Sequence, residues 1–153
     1  FDSRHLGLST SFGDYDTVTA AFEAAAARQP EAGLPRDTRI HLARLYGTGH
    51  EKVLRLVTAN PQLAERIDGS DDILAQAVHA VTDEAADTLV DVLDRRLTVG
   101  TLGLVSERAV TQVAATIAPL LGWDDATRDG QVRAYLSQLA GETAVIDDAF
   151  RSR

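Results

Sequence analysis

The sequence predicts an all-α protein, a single compact bundle of about six or seven helices, on three observations. Alanine is abundant, and glycine and proline fall between periodic segments rather than within them. No stretch alternates apolar and polar residues long enough to make a strand. A chain of 153 residues suits one domain with a real core.

The elements follow in order. Residues 1–15 are expected to form a loose N-terminal segment, and 16–150 the helical domain. Asp16 is a candidate N-cap for a helix over "TVTAAFEAAAAR", whose Val18, Phe22 and Ala25 share one face; "QPEAGLP" ends it. A second helix runs from Asp37 to Tyr46, with Ile40, Leu42, Ala43 and Tyr46 before Gly47, a C-cap residue free to enter the left-handed region. A third, His50 to Ala59, carries Val53, Leu54, Leu56 and Val57 and stops before Asn60. Pro61 opens a short helical turn. In "DGSDD", Asp71 is the expected cap of "DILAQAVHAV". Thr82 is expected to start the longest helix, running to about Leu97, with Asp83 and Glu84 in its first turn and Arg95 and Arg96 in its last to match the helix dipole. "TVGTLGL" reads as a glycine-rich connector. Ser106 caps the next helix, Gly122 follows its last turn, and Asp124 caps the final helix, with weak points at Gly130 and Gly141.

Composition narrows the function. The net charge of −8 with scattered basic residues argues against nucleic acid and anionic membrane surfaces. With 44% apolar and 25% charged residues the composition is that of an ordinary globular protein, and no apolar run approaches the roughly 20 residues of a membrane span, so no membrane insertion is expected. The absence of cysteine removes disulfides, thiolate catalysis and cysteine metal sites. The opening "FDSRHLGLSTSF" has neither an initiator Met nor a signal-peptide core, and the expectation is a fragment of a longer protein.

Candidate sites are few. "YGTGHEK" resembles a phosphate loop only superficially: Glu51 and Val53 flank Lys52 where glycine and a hydroxyl belong, and a helix rather than a strand precedes Gly47 and Gly49. It reads as a corner between two helices. Histidines 5, 41, 50 and 79 lack metal-ligand spacing, and Gln76 puts a neutral amide where a di-iron bundle needs a carboxylate, so no metal is expected. His41 and His79 read as partly buried, hydrogen-bonded helix residues. Glu84, Asp87, Asp91 and Asp94 would line one face of the long helix, as a solvated face or a partner surface. Asp91 stands four residues before Arg95, the favourable order for an ion pair, worth a few tenths of a kcal/mol if exposed and much more if buried. No catalytic triad or carboxylate pair can be read from spacing, and no catalytic residue is assigned.

Taken in order, "LARLYG", "NPQLAERI", "AVTDEAADTLVDVLDRRLTVG" and "IAPLLGWD" before "VRAYLSQL" resemble the C-terminal helical domain of the FAD-dependent, membrane-associated glycerol-3-phosphate dehydrogenases and glycerophosphate oxidases. The likeness spans about residues 12–149. Its landmarks fall on Tyr46, Gly47, Glu84, Asp91, Arg95, Arg96, Gly122, Trp123 and Asp124, expected to be a structural framework. Three departures from the family pattern stand out: Leu45 for Arg, Gln76 and His79 for Glu and Tyr, and Leu97 interposed between the arginine pair and Thr98. These departures bear on any polar network through those positions and leave the helical plan intact.

The resemblance implies a parent enzyme oxidising sn-glycerol 3-phosphate to dihydroxyacetone phosphate through FAD, with electrons passed to a membrane quinone. The parent would be cytoplasmic and peripheral on the inner face of a bacterial membrane. This chain would be its non-catalytic cap, without FAD of its own, packing on the FAD/substrate domain and in a secondary role supporting a homodimer. The alternative is a free-standing helical interaction module using the acidic helix face.

Overall fold

A computed structural model describes residues 33–103 and 105–151, with side chains described as far as Gly141, together with Ala20, Ala24 and Ala27. Those three alanines are helical. The rest of the predicted first helix, including Val18, Phe22 and Ala25, lies outside the described residues, as do the 1–15 segment and His5. The described chain is all-α, as the periodicity predicts. It divides after Ala64 into two compact units.

In the first unit, α1 (Arg36–Tyr46) buries Thr38, Leu42 and Ala43, and α2 (His50–Ala59) buries Val53, Leu54 and Val57. Both sets recur at helical spacing, so each helix presents one apolar stripe, and the two stripes let the helices pack together. Gly47 ends α1 at φ 54°, its N–H returning to the Ala43 carbonyl. A 3-10 turn, Gly47–Gly49, leads into α2, and a second, Pro61–Ala64, follows it. The glycine pair is therefore a helix–helix corner.

The second unit opens with a tight hairpin. Arg66 and Ile73 bridge antiparallel, Ile67 N–H bonds the Asp72 carbonyl at 2.8 Å, and Gly69 turns the chain at φ 78°. Five helices follow: α3 (Leu74–Asp83), α4 (Leu89–Arg95), α5 (Thr98–Thr101), α6 (Glu107–Leu121) and α7 (Asp125–Arg151). Every residue of α3 from Leu74 to Ala80 is buried, the mark of a helix enclosed on all sides. It packs on α6, whose Ala109, Val110, Val113, Ala114, Ile117 and Ala118 form the apposed stripe; α7 covers α6, and α4 contacts α3, α5, α6 and α7. Each fully buried Leu, Ile or Val there contributes about 1.5–3 kcal/mol.

Four expectations are corrected. The helix predicted from Thr82 to Leu97 is two helices, because Ala85 takes a positive φ of 55° and the Thr88 hydroxyl caps α4 by accepting the Asp91 N–H at 3.1 Å. Thr82 lies inside α3, its hydroxyl bonded to the Val78 carbonyl. Asp71 does not cap α3. It pairs with Arg66 at 3.0 Å, while the Gln76 side chain takes the Ile73 N–H at 2.8 Å. The "TVGTLGL" connector contains α5. The last helix, α7, runs through Gly130 and Gly141 as the sequence predicts.

Candidate functional site

In the second unit the Asp72 carboxylate is fully buried and carries several hydrogen bonds. Its Oδ1 accepts from Gln76 Nε2 at 3.0 Å. Its Oδ2 accepts from the Thr98 hydroxyl at 2.8 Å and the Val99 N–H at 2.9 Å. The same hairpin reaches α6 through Asp68, which accepts the Ser106 hydroxyl at 2.7 Å and gives its own N–H to Gln112 at 3.1 Å. Ser106 also caps α6, taking the Ala109 N–H at 3.0 Å, as expected. A buried carboxylate is tolerable only when donors surround it, and here those donors come from two segments, α3 and the start of α5. The arrangement clasps; it holds no nucleophile or paired acid and base.

A polar network thus passes through two of the positions that depart from the family pattern. Gln76 serves both Asp72 and the Ile73 N–H. Leu97, the interposed residue, is buried and precedes α5, so that Thr98 reaches Asp72. Sequence reasoning missed Asp72, the last acid of "DGSDD", and weighed Gln76 only as a missing metal ligand. It also missed Thr88, although Thr88-Leu-Val-Asp91 has the spacing of a capping box.

The framework residues fall into three places. Tyr46 and Gly47 lie at the end of α1, in the first unit, where Tyr46 is half-buried. Glu84, Asp91, Arg95 and Arg96 surround the α3–α4 joint. Arg96 Nε stands 3.4 Å from the Glu84 carboxylate and its Nη2 donates to the Glu84 carbonyl at 3.3 Å. Arg95 pairs with Asp91 at 2.5 Å, and Asp91 also accepts the Thr88 hydroxyl at 2.8 Å. That hydroxyl, with a smaller pull from Arg95, holds the Asp91 carboxyl below the ordinary carboxylate value. Gly122, Trp123 and Asp124 form the α6–α7 corner. Gly122 is left-handed at φ 65°, Trp123 N–H returns to Ala118 at 2.9 Å, and Asp124 caps α7 by accepting the Thr127 N–H at 2.7 Å. Bonding to Thr127 lowers the Asp124 carboxyl.

The acidic stripe is corrected by the helix break. Glu84 and Asp87 lie off α4, and Asp87 is exposed, so the four acids share no helix face. Asp94 accepts the Tyr135 hydroxyl from α7 at 2.5 Å. Among the histidines, His79 is buried beside Asp83 and Glu84, at 3.2 and 3.8 Å. His50, also buried, meets the Gly47 carbonyl through Nδ1 at 2.6 Å, and His41 is half-buried on α1. Among the described residues no group of three His, Asp or Glu side chains is placed to hold a metal. None of their helices is long and apolar enough to cross a membrane. The described residues do not fit an FAD: the Gly47–Gly49 pair joins two helices, whereas a flavin dinucleotide needs a strand feeding a glycine turn and the N-terminus of a helix.

Comparison with known proteins agrees with the landmarks. A family profile described as the C-terminal domain of alpha-glycerophosphate oxidase matches residues 11–128. A glycerol-3-phosphate dehydrogenase of Synechocystis sp. (strain ATCC 27184 / PCC 6803 / Kazusa) is 36% identical over 104 residues, which is 67% of this chain and 19% of that protein. The chain therefore spans about a fifth of the length of the relative. No solved structure matches. The order of the landmark residues, the all-helical build and the profile match together place this chain in the family of the C-terminal domain of alpha-glycerophosphate oxidase.

Proposed function

We propose that the chain is the accessory helical domain of an FAD-dependent glycerol-3-phosphate dehydrogenase and is not itself catalytic. One observation carries this reading: two thirds of the chain aligns with only 19% of a glycerol-3-phosphate dehydrogenase, leaving most of that protein to hold flavin and substrate. The fold agrees, since its best-bonded polar groups clasp helices to one another rather than converge on a reacting atom. The parent oxidises sn-glycerol 3-phosphate to dihydroxyacetone phosphate through FAD and passes electrons to quinone, as a peripheral protein of the inner face of the membrane. This domain packs on the FAD/substrate domain and supports a homodimer.

The test is direct. The purified chain is titrated with FAD and assayed with glycerol 3-phosphate and a redox dye. A colourless protein that neither shifts flavin fluorescence nor reduces the dye is expected, and bound flavin or substrate-dependent dye reduction overturns the reading.

A further inference from the structure

Helix α6 carries no charge from Ala109 to Leu121, yet Thr111 and Ala115 lie exposed on its outer side. Beside them, where α7 passes, is an open groove of about 460 Å³ lined by Thr111, Ala115, Arg128, Asp129, Val132 and Arg133. Its charges are unevenly used. Arg128 gives Nε and Nη2 to Asp129 Oδ1, at 3.1 and 2.9 Å, and Nη1 to Asp125 at 2.8 Å. Among the described residues, Asp129 Oδ2 accepts no hydrogen bond, and Arg133, which is exposed, makes none and pairs with no acid. Arg133 stands four residues after Asp129, the order that favours a pair on one helix, but Arg128 holds that carboxylate. The Arg133 side chain lies back over Gly130 instead, its Nη2 4.0 Å from where a Cβ would stand.

We propose that this face binds a second copy of the chain, α7 against α7 in the antiparallel sense, about a twofold axis level with Gln131. The inference rests on the proposed homodimer and gives it a surface. A twofold contact must be complementary to itself, because whatever one residue offers to a second, the second offers back. Asp129 and Arg133 meet that condition: an axis at their midpoint sets Arg133 of each copy opposite Asp129 of the other, so one helix face supplies both halves of two ion pairs. A partner of a single charge sign fits less well, since it would be repelled by either the carboxylate or the guanidinium. The uncharged floor of Thr111, Ala115 and Val132 is the part the contact shields from water, with the ion pairs at its rim.

The surface is tested on the chain itself by sedimentation velocity over about 10 μM to about 1 mM, the range of a small, weak interface. A monomer–dimer equilibrium is expected. Arg133→Glu and Asp129→Arg should each weaken association at least about tenfold, because either change sets like charges opposite one another at both pairs. Mixed in equal amounts, the two variants should associate again, since opposite charges then face one another at both contacts. Amide ¹H–¹⁵N shifts on dilution of the unaltered chain, a measurement that needs no variant, should centre on Thr111, Ala115 and residues 129–133. A chain that stays monomeric at every concentration overturns the proposal and leaves the face to another partner. Dilution shifts centred elsewhere overturn it too, as does a mixture that associates no better than either variant alone. Flavin binding by the chain would end the non-catalytic reading and leave this result standing, whereas a monomer would end this surface and leave that reading intact.

Discussion

Gly100 and Leu93 meet backbone to backbone: a Cβ added to Gly100 would stand 2.2 Å from the Leu93 carbonyl oxygen and 2.8 Å from Asp94 Cα. The approach lets α5 lie directly against α4, with Val99 and Leu93 both buried. Gly100→Ala must push the two helices apart. It is expected to lower stability by about 1–3 kcal/mol, the usual cost of overpacking. Urea denaturation checks this, with Gly103→Ala as the comparison. Gly103 has open space around it and a φ of +66°, so alanine there meets backbone strain without collision, costing about 1 kcal/mol. A Gly100→Ala midpoint equal to wild type would show that α5 can move away freely.

This contact illustrates what the sequence conveys and what it withholds. Helices α1 and α2 and the corner at Gly122, Trp123 and Asp124 were legible, because apolar spacing, a C-cap glycine and an N-cap acid are local signals. The break between α3 and α4 was not. Residues 82–97 keep a helical charge pattern, and the stop depends on an alanine at φ 55°, a Thr88 cap and an Arg96 bond to the Glu84 carbonyl twelve residues away. The Asp72 clasp joins residues 26 and 27 positions apart, a relation no spacing rule reads. The Tyr135–Asp94 bond spans 41.

Asp72 gives the second prediction. Asp72→Asn keeps the size but replaces one acceptor oxygen with a donor, so either Gln76 or the Thr98 and Val99 donors lose their partner inside the core. Leaving such groups unpaired costs about 1–3 kcal/mol each, and the variant should lose at least that much. Thr98→Val removes only the hydroxyl bond to Oδ2 and should cost less. Melting curves of the two variants give the order, and a Thr98→Val as damaging as Asp72→Asn would contradict it.

Ala85 supplies a substitution in the opposite direction. A residue with a Cβ at φ 55° carries about 1–2 kcal/mol of strain, against about 0.5–1 kcal/mol of extra chain entropy for glycine. Ala85 is exposed, so its methyl contributes little packing. Ala85→Gly should therefore stabilise the chain by a few tenths to about 1 kcal/mol. A lower melting temperature would mean that the α3–α4 joint needs the methyl group.

The neighbouring arginines should differ. Arg95 is 64% exposed and its pairing with Asp91 is an i,i+4 surface pair, so Arg95→Ala should cost only a few tenths of a kcal/mol. Arg96 is less exposed and binds both the carboxylate and the carbonyl of Glu84, at the point where α3 ends. Arg96→Ala should cost more, about 1 kcal/mol. Thermal unfolding at low and high salt separates them, because the Arg95 effect should fade as screening increases.

Acid should weaken the fold through Asp91 and Asp124. Both carboxyls are held below the ordinary value of 3.8, Asp91 chiefly by the Thr88 hydroxyl and Asp124 chiefly by Thr127. A folded-state pKa below the unfolded one means that the native state binds fewer protons, so stability rises with pH across that interval. The contribution is fully present above the unfolded value and is lost as pH falls through the folded values. Thr88→Val removes the main cause at Asp91 and also the α4 cap, so it should lower stability at neutral pH and flatten the acid limb of the stability curve. Asp124→Asn keeps an acceptor for the Thr127 N–H but no longer titrates, so it should flatten the same limb with little loss at pH 7. Urea midpoints measured between about pH 2 and 6 test both, since the window brackets the carboxylate range. An acid limb as steep in both variants as in wild type would assign the acid sensitivity to other carboxylates.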